Sequence, residues 1–159
     1  MVKLLLILPI LIATGCVTKL NTPKVVNIDS DFSFYVENFK LDAASQGVTV
    51  TIDNLAIIYT DDMKSGTLGS CAEYAGGQYG TPTIRINRSE WKSETQVIKT
   101  VVLYHELGHC ILQRDHNDKL INIHGDLIDV SIMSTYIQDE YTYVKHWQYY
   151  MQELFHPGA

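Results

Sequence analysis

The chain has 159 residues, of which 46% are hydrophobic, so it can bury one core, and no internal repeat or low-complexity segment divides it. Its 12 Lys and Arg against 18 Asp and Glu give a formal charge of −6. That balance excludes a basic surface for the phosphates of nucleic acid, which is therefore not an expected partner.

At the N-terminus Lys3 precedes the apolar run Leu4 to Ile12, too short to cross a bilayer as a mature helix, and then Ala13-Thr14-Gly15-Cys16. This order resembles a bacterial lipoprotein signal, cut before Cys16 and lipidated on it, although Ala13 stands where leucine is commoner. Residues 1–15 are thus expected to be removed and residues 16–29, with Pro23 and no sustained hydrophobic period, to form the lipidated cysteine and a tether. Losing Lys3 and no acid leaves a charge of about −7, so lipid and not charge would bring the chain to a membrane. In a Gram-negative cell, Val17 in place of an aspartate after the cysteine favours the outer membrane, facing the periplasm. Without the lipobox reading, an ordinary secretory signal would still export the chain.

Ser30 to Gln46 carries Phe32, Tyr35, Val36, Phe39 and Ala43 at helical spacing and stops at Gly47, which predicts a core helix. Val48 to Ile52 and Leu55 to Thr60 are rich in β-branched residues and read as strands; Asp61 to Gly80, with five of the ten glycines, reads as a long loop. Thr83-Ile84-Arg85-Ile86-Asn87 alternates behind Pro82, the pattern of an edge strand. Trp91 would pack near the start of the next helix. Ser93-Glu94-Thr95-Gln96 reads as a capping box, followed by Val97, Ile98, Val101, Val102, Leu103, Leu107, Ile111 and Leu112 at helical spacing. Tyr141, Val144, Trp147, Met151 and Leu154 keep helical spacing up to Pro157 and predict a C-terminal amphipathic helix, on which His146 and His156 would be surface groups.

The central helix carries His105-Glu106-Leu107-Gly108-His109. Two imidazoles four residues apart lie on one helical face and can reach one cation, while Glu106 points about a hundred degrees away, beside the metal. From there a carboxylate can take a proton from a water that zinc has acidified toward a pKa of about 7. A buried helix with two core histidines would carry the same five letters. A catalytic zinc needs a third protein ligand. His116, seven residues after His109, is the first candidate; Asp115 is the rival, and His124, Asp139 and Glu140 remain as others. After Cys16 two cysteines are left, and an oxidising compartment would pair Cys71 with Cys110, contributing on the order of 4 kcal/mol on chain-entropy grounds. Two separate buried thiols are the other reading. Cys110 lies about a hundred degrees off the ligand face, which excludes it as a ligand.

His105-Glu106-Leu107-Gly108-His109, His116 and Ser131-Ile132-Met133 together resemble the metzincin group of zinc metallopeptidases, and most of all its small bacterial lipoproteins. The resemblance covers most of the chain after the signal, though only those two segments are specific. Leu112 stands where metzincins have a helix-ending glycine, and the third histidine comes one residue late; a turn at Gln113 could absorb both departures. The resemblance implies an α+β fold: one zincin-like domain over residues 30–159 with a small mixed sheet, an active-site helix and a C-terminal helix. It further implies one Zn2+ per chain on His105, His109 and His116, Glu106 as general base, and Met133 in a tight turn beneath the imidazoles. Tyr136, close to where several metzincins place a tyrosine against the anionic intermediate, would be the second catalytic residue. Metzincins hold extended peptides against the strand before the catalytic helix, so Thr83–Asn87 would bind substrate, unless Arg85 merely guards an ordinary edge.

The resulting expectation is an exported, lipid-anchored, monomeric zinc metalloendopeptidase acting on peptides or proteins. The competing reading is a non-catalytic lipid-anchored binding protein with a structural zinc. A gluzincin-like site with Glu140 as ligand is a third.

Overall fold

The computed structural model describes residues 26–72 and 81–158. Within them the chain is a small mixed α/β domain, with five helices and two sheets. The lipobox and Cys16 lie outside the described residues. Among the described residues no helix is long and apolar enough to cross a membrane.

The stretch expected to be tether ends sooner than its composition suggested. Val26–Ile28 forms β1, paired in parallel with β2, Leu55–Thr60. Helix α1, Ser30–Ser45, follows, capped by the Asp29 carboxylate on the Asp31 N–H (3.2 Å), and it buries all five of the residues its spacing singled out. It stops where Gly47 adopts φ +75°, a conformation open to glycine, so that the Gly47 and Val48 N–H groups reach back to Ala44 and Ala43 (both 2.9 Å). Val48 to Ile52, expected as a strand, joins no sheet among the described residues. Its alternate residues Val48, Val50 and Ile52 pack on the core, which explains the β-like composition without a ladder.

The main sheet has the order β1-β2-β4-β3, with β4 at Thr83–Asn87 and β3 at Gly69–Ala72. Two expectations are corrected here. The supposed loop Asp61 to Gly80 contains β3, whose Gly-Ser-Cys-Ala sequence has almost no strand propensity and is held by its antiparallel ladder to β4. Consequently β4 is an inner strand, parallel to β2 on its other side, and Arg85 bridges to Thr60 (3.0 Å) and Asp62 instead of guarding an edge. Among the described residues the edge strands are β1 and β3, and the edge beside the central helix belongs to β3.

A short helix α2, Arg88–Ser93, was not anticipated; Asn87 caps it, and its Trp91 stacks edge-on against Phe32 and Tyr35 (both 5.4 Å). The cap of α3, Gln96–Cys110, is therefore displaced from the predicted box. Thr95 Oγ1 accepts from Ile98 N (3.3 Å), while Gln96 accepts from the Tyr35 hydroxyl (3.2 Å). The buried face of α3 joins α1 through Phe39 and Tyr104 (ring centroids 5.1 Å), and Tyr104 donates to Asp42 (2.7 Å).

Beyond α3 a hairpin pairs β5, Leu120–Ile123, with β6, Asp126–Asp129, around His124 and Gly125, both at positive φ as a two-residue hairpin turn requires. The single C-terminal helix is in fact two, α4 (Glu140–Lys145) and α5 (Trp147–Phe155), broken at His146. The break changes the buried face: Tyr143 goes inward, Tyr141 and Val144 outward. His146, expected on the surface, is buried and bonds the Asp126 carboxylate (2.8 Å); His156 does lie at the surface, against the Gln46 carbonyl (2.8 Å).

Candidate metal centre

Helix α3 places His105 and His109 on one face, and the turn after it returns His116 to them. The three Nε2 atoms lie 3.0 Å (His105–His109), 3.1 Å (His109–His116) and 3.2 Å (His105–His116) apart. Among the described residues these three make the group of three or more ligating side chains close enough to share one ion. Gln113 makes the return possible by adopting φ +54°, the left-handed conformation that a glycine would take at less cost. Asp115 is not in the triad; its charge only opposes part of the burial of His109. His124 sits in the hairpin turn, Asp139 caps α4, and Glu140 begins that helix, and none of the three joins the triad.

The outer nitrogens explain why the inner ones converge. His105 Nδ1 faces the Ile132 carbonyl (3.0 Å) and His109 Nδ1 the Arg114 carbonyl (2.6 Å). A carbonyl only accepts, so each Nδ1 carries the hydrogen and each neutral ring presents an Nε2 lone pair to the other. Burial keeps both rings neutral, pushing His105 down to about 4 and lowering His109 as well. Lone pairs meeting head-on repel unless a cation lies between them. A tetrahedral ion with bonds of about 2.0–2.1 Å would separate its nitrogens by about 3.3–3.4 Å, a few tenths of an ångström beyond those found. The donor set thus fits zinc, with three imidazole nitrogens, the number of protein ligands found in catalytic sites.

Glu106 is 5% exposed and lies against β3, where its carboxylate accepts from the Cys71 N–H. The approach is close: a Cβ on Gly69 would stand 2.9 Å from Glu106 Oε1. Burial pushes the carboxyl up to about 8, against the pull of the Cys71 N–H. The expected Cys71–Cys110 disulfide is present and ties β3 to the end of α3, with Cα atoms 5.7 Å apart. A cleft of about 830 Å³ opens over the triad, walled by β3 residues, Ile98 and Val101 of α3, and the segment from Ser134 to Glu140. Tyr136 stands on that wall with 74% of its surface exposed, and its phenol makes no hydrogen bond among the described residues.

Met133 is fully buried beneath the motif. A Cβ on Gly108 would come 2.4 Å from Met133 Sδ, so the motif's glycine is what lets the turn approach the helix. Gly108→Ala is expected to destabilise the protein by about 1–3 kcal/mol, the usual range for overpacking a core, as denaturant unfolding would record.

In the metal-free protein the two shifted groups shape stability in opposite directions. Glu106, with a folded value of about 8 against an ordinary 4.5, keeps a proton that the unfolded chain releases, so its contribution falls as pH rises through that interval. His105, at about 4 against 6.5, is neutral where the unfolded chain is charged, so its contribution is lost as pH falls. Between pH 4.5 and 6.5 the Glu106 and His105 proton differences oppose each other, and the lowered His109 adds a further loss as pH falls. Melts of the chelator-treated protein should therefore decline on the alkaline side, as pH rises from 6.5 through 8, by about 2 kcal/mol, and Glu106→Gln should remove that decline.

Four contributors had no signal in the sequence. Gly69 was one glycine in a supposed loop, and Asp118, which accepts from Thr135 N (2.7 Å) and Thr135 Oγ1 (2.9 Å), looked like a loop acid. Arg114 and Glu153 form a buried ion pair (2.5 Å) across 39 residues. In comparisons with protein-family models, curated proteins and solved structures, the chain matches none.

Proposed function

We propose that this protein is a zinc-dependent metallopeptidase on a metzincin-like scaffold, with His105, His109 and His116 holding one zinc per chain. The observation that carries this reading is the convergence of three imidazole Nε2 atoms beside a buried carboxyl, at the floor of an open cleft. When bound, zinc would supply Lewis acidity, acidifying water and polarising a scissile carbonyl. Glu106 would supply the proton transfer: with zinc bound beside it, its ionised carboxylate can accept a proton from water and later give it to the leaving amine. Tyr136, free on the cleft wall, can donate to a developing oxyanion.

The substrate would be an extended peptide added to the edge of β3, the strand that takes the role assigned from sequence to Thr83–Asn87. Leu68 O accepts from Asn87 N (2.9 Å), which fixes the ladder so that Gly69 and Cys71 turn their backbone groups away from β4. The Cys71 N–H faces Glu106, and among the described residues the Gly69 N–H and C=O and the Cys71 C=O would remain for peptide. Export on a lipidated Cys16 is part of the proposal and rests on the lipobox alone; the mass of the chain extracted from membranes checks it.

A mixed peptide library tests the activity. Cleavage abolished by a chelator and restored by zinc is expected; zinc uptake without cleavage would favour the lipid-anchored binding protein.

A further inference from the structure

The Nδ1 acceptors of the two motif histidines sit on different segments, and both segments are tied to one side chain of the C-terminal helix. Glu153 Oε1 accepts from Arg114 Nη2 (2.5 Å), and Arg114 Nη1 also donates to the carbonyls of Glu153 (2.9 Å) and Leu154 (2.7 Å). Arg114 is the residue whose own carbonyl receives His109. Glu153 Oε2 accepts from the Ser131 hydroxyl, and Ser131 Oγ in turn accepts from Met133 N (3.0 Å). Ile132, between Ser131 and Met133, carries the carbonyl that receives His105.

The Arg114 and Glu153 side chains are only 12% and 11% exposed, so both charges have lost most of their hydration. A buried ion pair is a poor fastener for a helix, because apolar side chains of similar volume usually hold as well or better. What an apolar pair could not do is grip two separate turns at defined hydrogen-bonding positions. We propose that Glu153 is a positioning residue: through Arg114 on one side and Ser131 on the other, it holds the two carbonyls that fix the orientation and Nδ1–H tautomer of His109 and His105. Its effect on zinc rests on the proposed metal site; its effect on the imidazoles does not.

The test compares wild type with Glu153→Gln, Ser131→Ala and Ile57→Ala, the last a buried β2 truncation that lowers stability away from the network. Nitrogen-15 spectra of the metal-free protein at pH 8 report the tautomer of each ring, and competition with a chelator reports zinc affinity. Wild type is expected to hold hydrogen on Nδ1 of both His105 and His109. Glu153→Gln should populate the other tautomer at both rings and bind zinc roughly 10- to 100-fold more weakly. Ser131→Ala, which leaves the Arg114–Glu153 pair in place, should disturb His105 more than His109, and Ile57→Ala should match wild type in both readouts. Unchanged tautomers in Glu153→Gln and Ser131→Ala, or equal changes in Ile57→Ala, would overturn the proposal. If wild type takes up no zinc yet its tautomers respond to Glu153→Gln, the positioning role stands and the metal reading fails.

Discussion

Glu106→Gln is expected to lower peptide hydrolysis by about 10²–10⁴-fold or more while leaving zinc content at the wild-type level, as turnover and metal analysis on one preparation would show. The argument is one of position. Glu106 sits between His105 and His109 in sequence, yet its carboxylate points to β3 and the Cys71 N–H, outside the histidine triad. Glutamine keeps the shape and can still accept from that N–H, so the fold and the ligands should survive. It cannot accept a proton from water, so the chemistry should not. Loss of zinc together with activity would instead make Glu106 a support of the metal site.

His116→Ala should remove most of the metal affinity, and Asp115→Ala should leave it near that of wild type. If zinc binding of order 10 kcal/mol is shared by three ligands, losing one costs about 3–4 kcal/mol, several hundred-fold in the dissociation constant. The contrast between these neighbours is sharp because the backbone has already chosen between them. With Gln113 at φ +54°, His116 and not Asp115 arrives within 3.1–3.2 Å of the other two Nε2 atoms. Competition with a zinc chelator measures both variants; the reverse order of affinities would return the ligand role to Asp115.

The parts of the structure that were legible from sequence are those in which one local pattern decides. The spacing from Phe32 to Ala43 defined α1, and the i, i+4 histidines defined the ligand face of α3. Gln113 was identified as the residue that must turn, since the chain is one residue longer there than the pattern it resembles. What escaped was decided by partners distant in sequence. Strand β3 has no strand propensity and exists through its ladder to β4 and the Cys71–Cys110 bond; its presence moved the free edge away from Thr83–Asn87. Val48 to Ile52 had the propensity but forms no strand among the described residues. His146 gave no sign that a bond to Asp126 would draw it inward and break the C-terminal helix. Glu153 resembles any acid on a helix until Arg114 and Ser131 meet it.

The most direct measurement is zinc-edge X-ray absorption on the reconstituted protein, combined with zinc per chain. The account predicts one zinc with three imidazole nitrogens at about 2.0–2.1 Å and one further light atom from solvent. A substoichiometric metal, a sulfur neighbour at about 2.3 Å, or a fourth protein ligand closing the site would contradict it.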